Sequence, residues 1–156
     1  MKTFFKIMLL SVFLFGVTAC GDDDEVKDIA LEVNYANLNG TWRLSNWNGE
    51  DMNDDQSYVY IEFNRKERTY VMYEKVATGK AWKRTGTFNI TEEDKWGYVI
   101  SGTYDNGLGN WNQKYVVTDL TDNSMVWTVQ DDASDVSKYT RCDGIPADIK
   151  NGTRGL

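Results

Sequence analysis

The chain has 156 residues, 24 acidic against 17 basic side chains for a net charge of −7, and no histidine. Its length is that of one domain, and its acidic balance excludes nucleic acid, whose affinity comes from basic residues neutralising phosphates. Without imidazole, Ser-His-Asp and Cys-His catalysis fall away with the commonest metal ligand, so no catalytic residue, metal or cofactor is expected and the chain is not read as an enzyme.

The first element in chain order is a leader. Lys2 and Lys6, an apolar run from Ile7 to Phe15 and small residues before Cys20 follow the three-part plan of a bacterial export signal. The run is shorter than the roughly 20 residues a membrane-spanning helix needs. Val17-Thr18-Ala19-Cys20 resembles a bacterial lipobox, which implies cleavage before Cys20, acylation of its thiol and a membrane partner held through that lipid. The next segment, Asp22-Asp23-Asp24-Glu25, reads as a solvated tether, because like charges repel and extend. An acidic cluster at this place also resembles the surface-export signal of Bacteroidetes lipoproteins, and Gly21 is not the Asp that retains many lipoproteins at the inner membrane. The expected address is therefore the outer membrane, on the cell surface. Without Lys2 and Lys6 the exported chain keeps 15 basic against 24 acidic residues. Anionic lipid would repel it, and attachment falls to the acyl chains of Cys20. A lipidated Cys20 leaves Cys142 no intramolecular partner, so no disulfide is expected and Cys142 reads as a small buried apolar residue.

Residues 28–36 read as a short helix capping one end. Beyond them, runs rich in Val, Ile, Thr, Tyr and Trp recur between turn clusters, with no sustained 3.6-residue pattern. Eight strands are predicted, over residues 40–47, 57–64, 69–76, 80–91, 96–104, 113–120, 124–130 and 136–142. Alternation places Val59, Ile61 and Phe63 on one face of the second, Trp82, Gly86, Phe88 and Ile90 on one face of the fourth, and Met125, Trp127 and Val129 on one face of the seventh. Short turn-like links favour an all-β, up-and-down antiparallel order, and closure into an eight-stranded barrel would remove the exposed edges. The organisation expected is a signal peptide over 1–19, a lipidated N-terminus and acidic tether over 20–37, a barrel over 38–142 and an irregular tail over 143–156.

Gly40-Thr41-Trp42 opens the first strand, residues 116–123 read Val-Val-Thr-Asp-Leu-Thr-Asp-Asn, and the last strand carries Tyr139-Thr140-Arg141. These resemble, in order, the G-x-W signature of lipocalins, the penultimate hairpin of small lipocalin-like lipoproteins of Bacteroidetes, and the terminal-strand arginine of the calycin type. The resemblance spans residues 37–142. It implies that Gly40, Trp42 and Arg141 close the barrel base, with Arg141 over the Trp42 ring in a cation-π contact contributing roughly 0.5 to 2 kcal/mol. The chain departs from secreted lipocalins in lacking disulfides and in having the short acidic stretch 48–56 where they carry a long first loop. Nothing about cargo carries over.

Beyond the leader the chain keeps six Trp and nine Tyr but only Phe63 and Phe88. Tyr and Trp suit places with one apolar and one wet side, which points to an amphipathic ligand, a glycan or a protein surface. They are also good strand formers, and an eight-stranded barrel is either filled by its side chains or holds one small ligand. Two functions stay open on these residues. One is a cell-envelope binding protein for a small amphipathic or glycan-like ligand, with Trp47, Tyr60, Trp82, Tyr98 and Trp111 as wall or mouth. The other is a structural or protein-interaction module of an envelope complex, with a filled core and a protein partner. The loop Asp51-Met52-Asn53-Asp54-Asp55 lacks the glycine and distal glutamate of an EF-hand and reads as a solvated acidic turn. Residues 105–110 read as a long hairpin connection.

Overall fold

The computed structural model describes residues 28–77 and 79–152. Cys20, the acidic run 22–25 and the leader lie outside the described residues. The strands are β1 (Gly40–Trp47), β2 (Glu50–Asp51), β3 (Tyr58–Asn64), β4 (Thr69–Lys75), β5 (Trp82–Glu93), β6 (Gly97–Tyr104), β7 (Gly109–Asn110), β8 (Tyr115–Thr118), β9 (Ser124–Val129) and β10 (Asp132–Cys142). The eight main strands pair antiparallel in the order β1-β3-β4-β5-β6-β8-β9-β10, and β10 pairs β1 to close the ring. The expected eight-stranded up-and-down barrel is therefore present. β2 and β7 are two-residue additions inside expected loops. β10 starts earlier than expected, at Asp132, because a bulge between Asp132 and Val136 lets the chain rejoin β9 across its turn.

Period-2 burial fills the interior. In β9, Met125, Trp127 and Val129 are buried and alternate with half-buried residues. Phe63 lies 4.6 Å from Phe88 and 6.2 Å from Trp127, ring to ring, so three strands meet in one aromatic layer. The ring is thinnest between β6 and β8, which share only the pairs Val99–Val116 and Ile100–Tyr115.

Three expectations are corrected. Residues 28–33 are not helical: Leu31 N–H donates to the Leu120 carbonyl (2.8 Å), and only α1, Tyr35–Leu38, is a helix, capped where Asn34 accepts from the backbone of Ala36 and Asn37. Residues 28–36 contain both Asn34 and Asp28, whose side chains compete with helical bonding, and Asn34 takes the cap. The tail is not coil throughout, since α2 (Ala147–Lys150) packs Ile145 and Ile149 onto Tyr58, Tyr60, Tyr73 and Ala81 outside the barrel. Ile145 lies just before the N-cap Pro146 and only Ile149 is within the helix, so the pair shows no helical period in sequence. This covering is why Tyr58 and Tyr60 are buried although Ile61 and Phe63 are too. Cys142 is half-buried rather than buried, beside the same outer cluster, and burial raises its thiol pKa.

Candidate functional site

One end of the barrel is sealed. Trp42 is fully buried, and its indole N–H donates to the Leu38 carbonyl at the end of α1 (2.9 Å). Arg141, directly opposite in the β1–β10 register, lays its guanidinium 4.0 Å from the Trp42 ring centroid. Its Nε donates to the Asp122 carbonyl (2.6 Å), Nη1 to that of Asn39 (2.7 Å) and Nη2 to that of Asn37 (2.7 Å). One planar fork thus ties the β8–β9 connection to the entry of β1. Gly40 sits at φ +111°, and a Cβ there would lie 3.0 Å from Arg141 Nη1, so glycine serves both the backbone turn and the close approach. Burial lowers the Arg141 pKa, with the Asp122 carboxylate acting the other way.

The other end is a cup of about 370 Å³, within the roughly 300 to 1,000 Å³ typical of small-molecule sites. Leu44, Val59, Ile61 and Met72 form an apolar floor and side. Trp47, Tyr104, Trp111, Tyr115, Trp127 and Tyr139 form a nearly continuous aromatic wall, with centroids 5.1 Å apart for Tyr115–Trp127 and 4.9 Å for Trp127–Tyr139. Trp47 is 43% exposed, which places it at the mouth. Its inward aim depends on a bulge: between Leu44 and Asn46 the β1–β10 register shifts, so Trp47 follows Trp42 and Leu44 into the barrel instead of pointing out.

Polar groups enter the wall at defined points. Trp47 Nε1–H donates to Asp135 (2.9 Å), and the Arg84 guanidinium pairs with Glu74 while lying 5.3 Å from the Tyr104 ring centroid. Trp111 is fixed from three sides. Its backbone N–H donates to the Gly102 carbonyl (2.8 Å), its indole N–H to the Tyr70 hydroxyl (2.8 Å), and its ring lies where a Cβ on residue 102 would be 2.4 Å away. By contrast, the hydroxyls of Tyr104, Tyr115 and Tyr139 have no hydrogen-bond partner among the described residues. Tyr139 is only 7% exposed. Burial pushes its pKa up, with Tyr115, Glu74 and Asp135 adding in the same direction, and burial followed by Asp135 pushes Tyr115 up to about 12. Tyr115 and Tyr139 therefore keep their phenol protons.

Of the five aromatic residues expected at a binding site, Trp47 and Trp111 line the cup. Tyr60 does not, because alternation with Val59 and Ile61 turns it outward, where its hydroxyl donates to Asp54 (2.7 Å). Trp82 is 55% exposed at the end of β5, with Arg84 over its ring at 5.6 Å. Tyr98 is on the inward side of β6 but at the sealed end, its hydroxyl directed to Glu32 (3.4 Å). Sequence reasoning missed Tyr115, Trp127 and Tyr139 as wall residues and Glu74 and Asp135 as its charges. Parity held a signal for one group: Asp135, Ser137, Tyr139 and Arg141 alternate inward along β10. The acidic turn 51–55 is not simply solvated, since Asp54 pairs with Arg43 (2.9 Å) and Met52 reaches the cup. No cluster of metal-binding side chains occurs among the described residues.

A ring of eight main antiparallel strands, sealed by a Trp–Arg stack and hollow at the opposite end, defines a calycin-type barrel. The model of the lipocalin-like domain family matches residues 38–127, and the chain belongs to that family. A solved lipocalin-like protein from Bacteroides uniformis ATCC 8492 is similar at 16% identity, with a TM-score of 0.47, over 68% of this chain and 99% of that one. A search of curated proteins finds no match.

Proposed function

We propose that the protein is a lipid-anchored binding protein of the cell envelope that takes a small amphipathic or glycan-like ligand into the open end of its barrel. The observation that carries the reading is the aromatic cup of about 370 Å³, lined by Tyr104, Tyr115 and Tyr139, whose hydroxyls have no hydrogen-bond partner among the described residues. No buried polar side-chain atom of the described residues lacks a partner, so these hydroxyls are open to the cup, where a ligand group or water can bond them. A packed interaction module, the competing reading, would need that interior filled. The test is a titration of tryptophan fluorescence in the full chain against lipid and oligosaccharide panels. Trp47, Trp111 and Trp127 line the cup, so a ligand should shift or quench the emission, and silence across both panels overturns the reading.

The anchoring half of the proposal rests on Cys20 and its acidic neighbours. Cys20→Ala should move a folded barrel from the membrane to the soluble fraction. Replacing residues 22–25 with neutral ones should leave the protein membrane-bound but hidden from surface protease. Persistence of the Cys20→Ala variant in the membrane fraction would remove the anchor.

A further inference from the structure

We infer that the ligand of the cup is a small amphiphile bearing an ammonium group rather than a fatty acid; this rests on the cup being a binding site. The cup's described lining contains two carboxylates, Glu74 and Asp135, and no lysine or arginine. The two acids are not equivalent. Glu74 has a countercharge, because Arg84 pairs with it from just outside the lining. Asp135 has none among the described residues. Its one hydrogen bond there comes from the neutral indole N–H of Trp47, which leaves most of a carboxylate's roughly four acceptor positions unused.

Three further features suit a cation at Asp135. The Tyr139 hydroxyl, without a hydrogen-bond partner among the described residues, offers an oxygen that accepts from an ammonium N–H. The faces of Tyr115, Trp127 and Tyr139 form a contiguous π surface beside it, and aromatic faces attract cations. The rim already holds one such arrangement, with Arg84 stacked over Tyr104 and Trp82. Below these groups, Leu44, Val59, Ile61 and Met72 accept an alkyl or aryl tail. A carboxylate ligand would meet Asp135 with no free cation to receive it, and the acidic excess of the chain would oppose its approach.

Chain-matched octylammonium, octanol and octanoate, titrated against the full chain at neutral pH by tryptophan fluorescence, separate charge from apolar burial. Octylammonium should bind at least about tenfold more tightly than octanol, with octanoate weakest, since one tenfold step is the effect of a single well-placed charge contact. Asp135→Asn should erase most of the octylammonium advantage and leave octanol unchanged. Glu62→Gln, an equal charge change on the exposed outer side of β3, should preserve the advantage and so exclude general attraction to an acidic protein. Thermal melts of both variants establish that they are folded. Octanol binding with octylammonium no tighter, or a preference that survives Asp135→Asn, overturns the inference and leaves the binding reading standing. Failure of all three probes to bind overturns the inference alone, since the binding reading falls only on silence across both the lipid and the oligosaccharide panels.

Discussion

The two ends of the barrel use the same residue types to opposite effect. At the base, the Trp42 indole N–H and the Arg141 Nε, Nη1 and Nη2 each have a backbone carbonyl, and a Cβ on Gly40 would already crowd the guanidinium. In the cup, three tyrosine hydroxyls and the Asp135 carboxylate are left under-used beside Trp and Tyr rings of comparable size. A polar group satisfied within the chain fixes one structure, whereas one open to the cup can bond water or another molecule at little cost to the fold. The base is thus built for the fold, and the cup keeps hydrogen-bonding capacity that the fold does not use.

Trp42→Ala should break this contrast most severely. Deleting a fully buried Trp costs about 3–5 kcal/mol, so the melting temperature by circular dichroism should fall by roughly 10 °C or more. An unchanged melt would sink the role given to the base. Arg141→Lys comes next, at about 2 kcal/mol, since one ammonium cannot reproduce a fork spanning three carbonyls. Retention of full stability would mean that the charge alone matters there.

Two tyrosines then sharpen the boundary between base and cup. Tyr70→Phe removes the acceptor of the Trp111 indole N–H and a donor to the Thr103 carbonyl (3.3 Å), so it should cost about 1 kcal/mol in urea unfolding. Tyr139→Phe removes a hydroxyl with no protein partner and should change stability by less than about 0.5 kcal/mol. A larger loss at Tyr139 than at Tyr70 would reverse the assignment of which hydroxyl serves the fold.

The barrel was legible because alternation and turn clusters are local signals. Met125, Trp127 and Val129 announce an inward face by spacing alone, and Gly40-Thr41-Trp42 with Arg141 mark the base. The cup was less legible, because its lining is set by register and by a bulge. Tyr60 is instructive: it was expected in the wall, although the alternation that places Val59 and Ile61 inside already places Tyr60 outside. Trp47 shows the reverse, since simple parity with Trp42 would send it outward and only the shift near Ser45 brings it in. The seat of α2 was hidden for another reason. Ile145 and Ile149 are buried by a distant outer surface that no local pattern reveals.

The bulge near Ser45 also bears on how such a cup changes over generations. Upstream of it the inward series is Trp42 and Leu44; downstream it is Trp47. Losing one residue there would carry Trp47 to position 46 of the shortened chain and restore a plain alternation that still aims it inward, now without the kink. Gaining one in an already bulged strand would instead turn the ring to solvent and part it from Asp135. Length at this single point, more than side-chain identity, is therefore the setting by which a relative could keep the sealed base intact while gaining or losing the indole at its mouth.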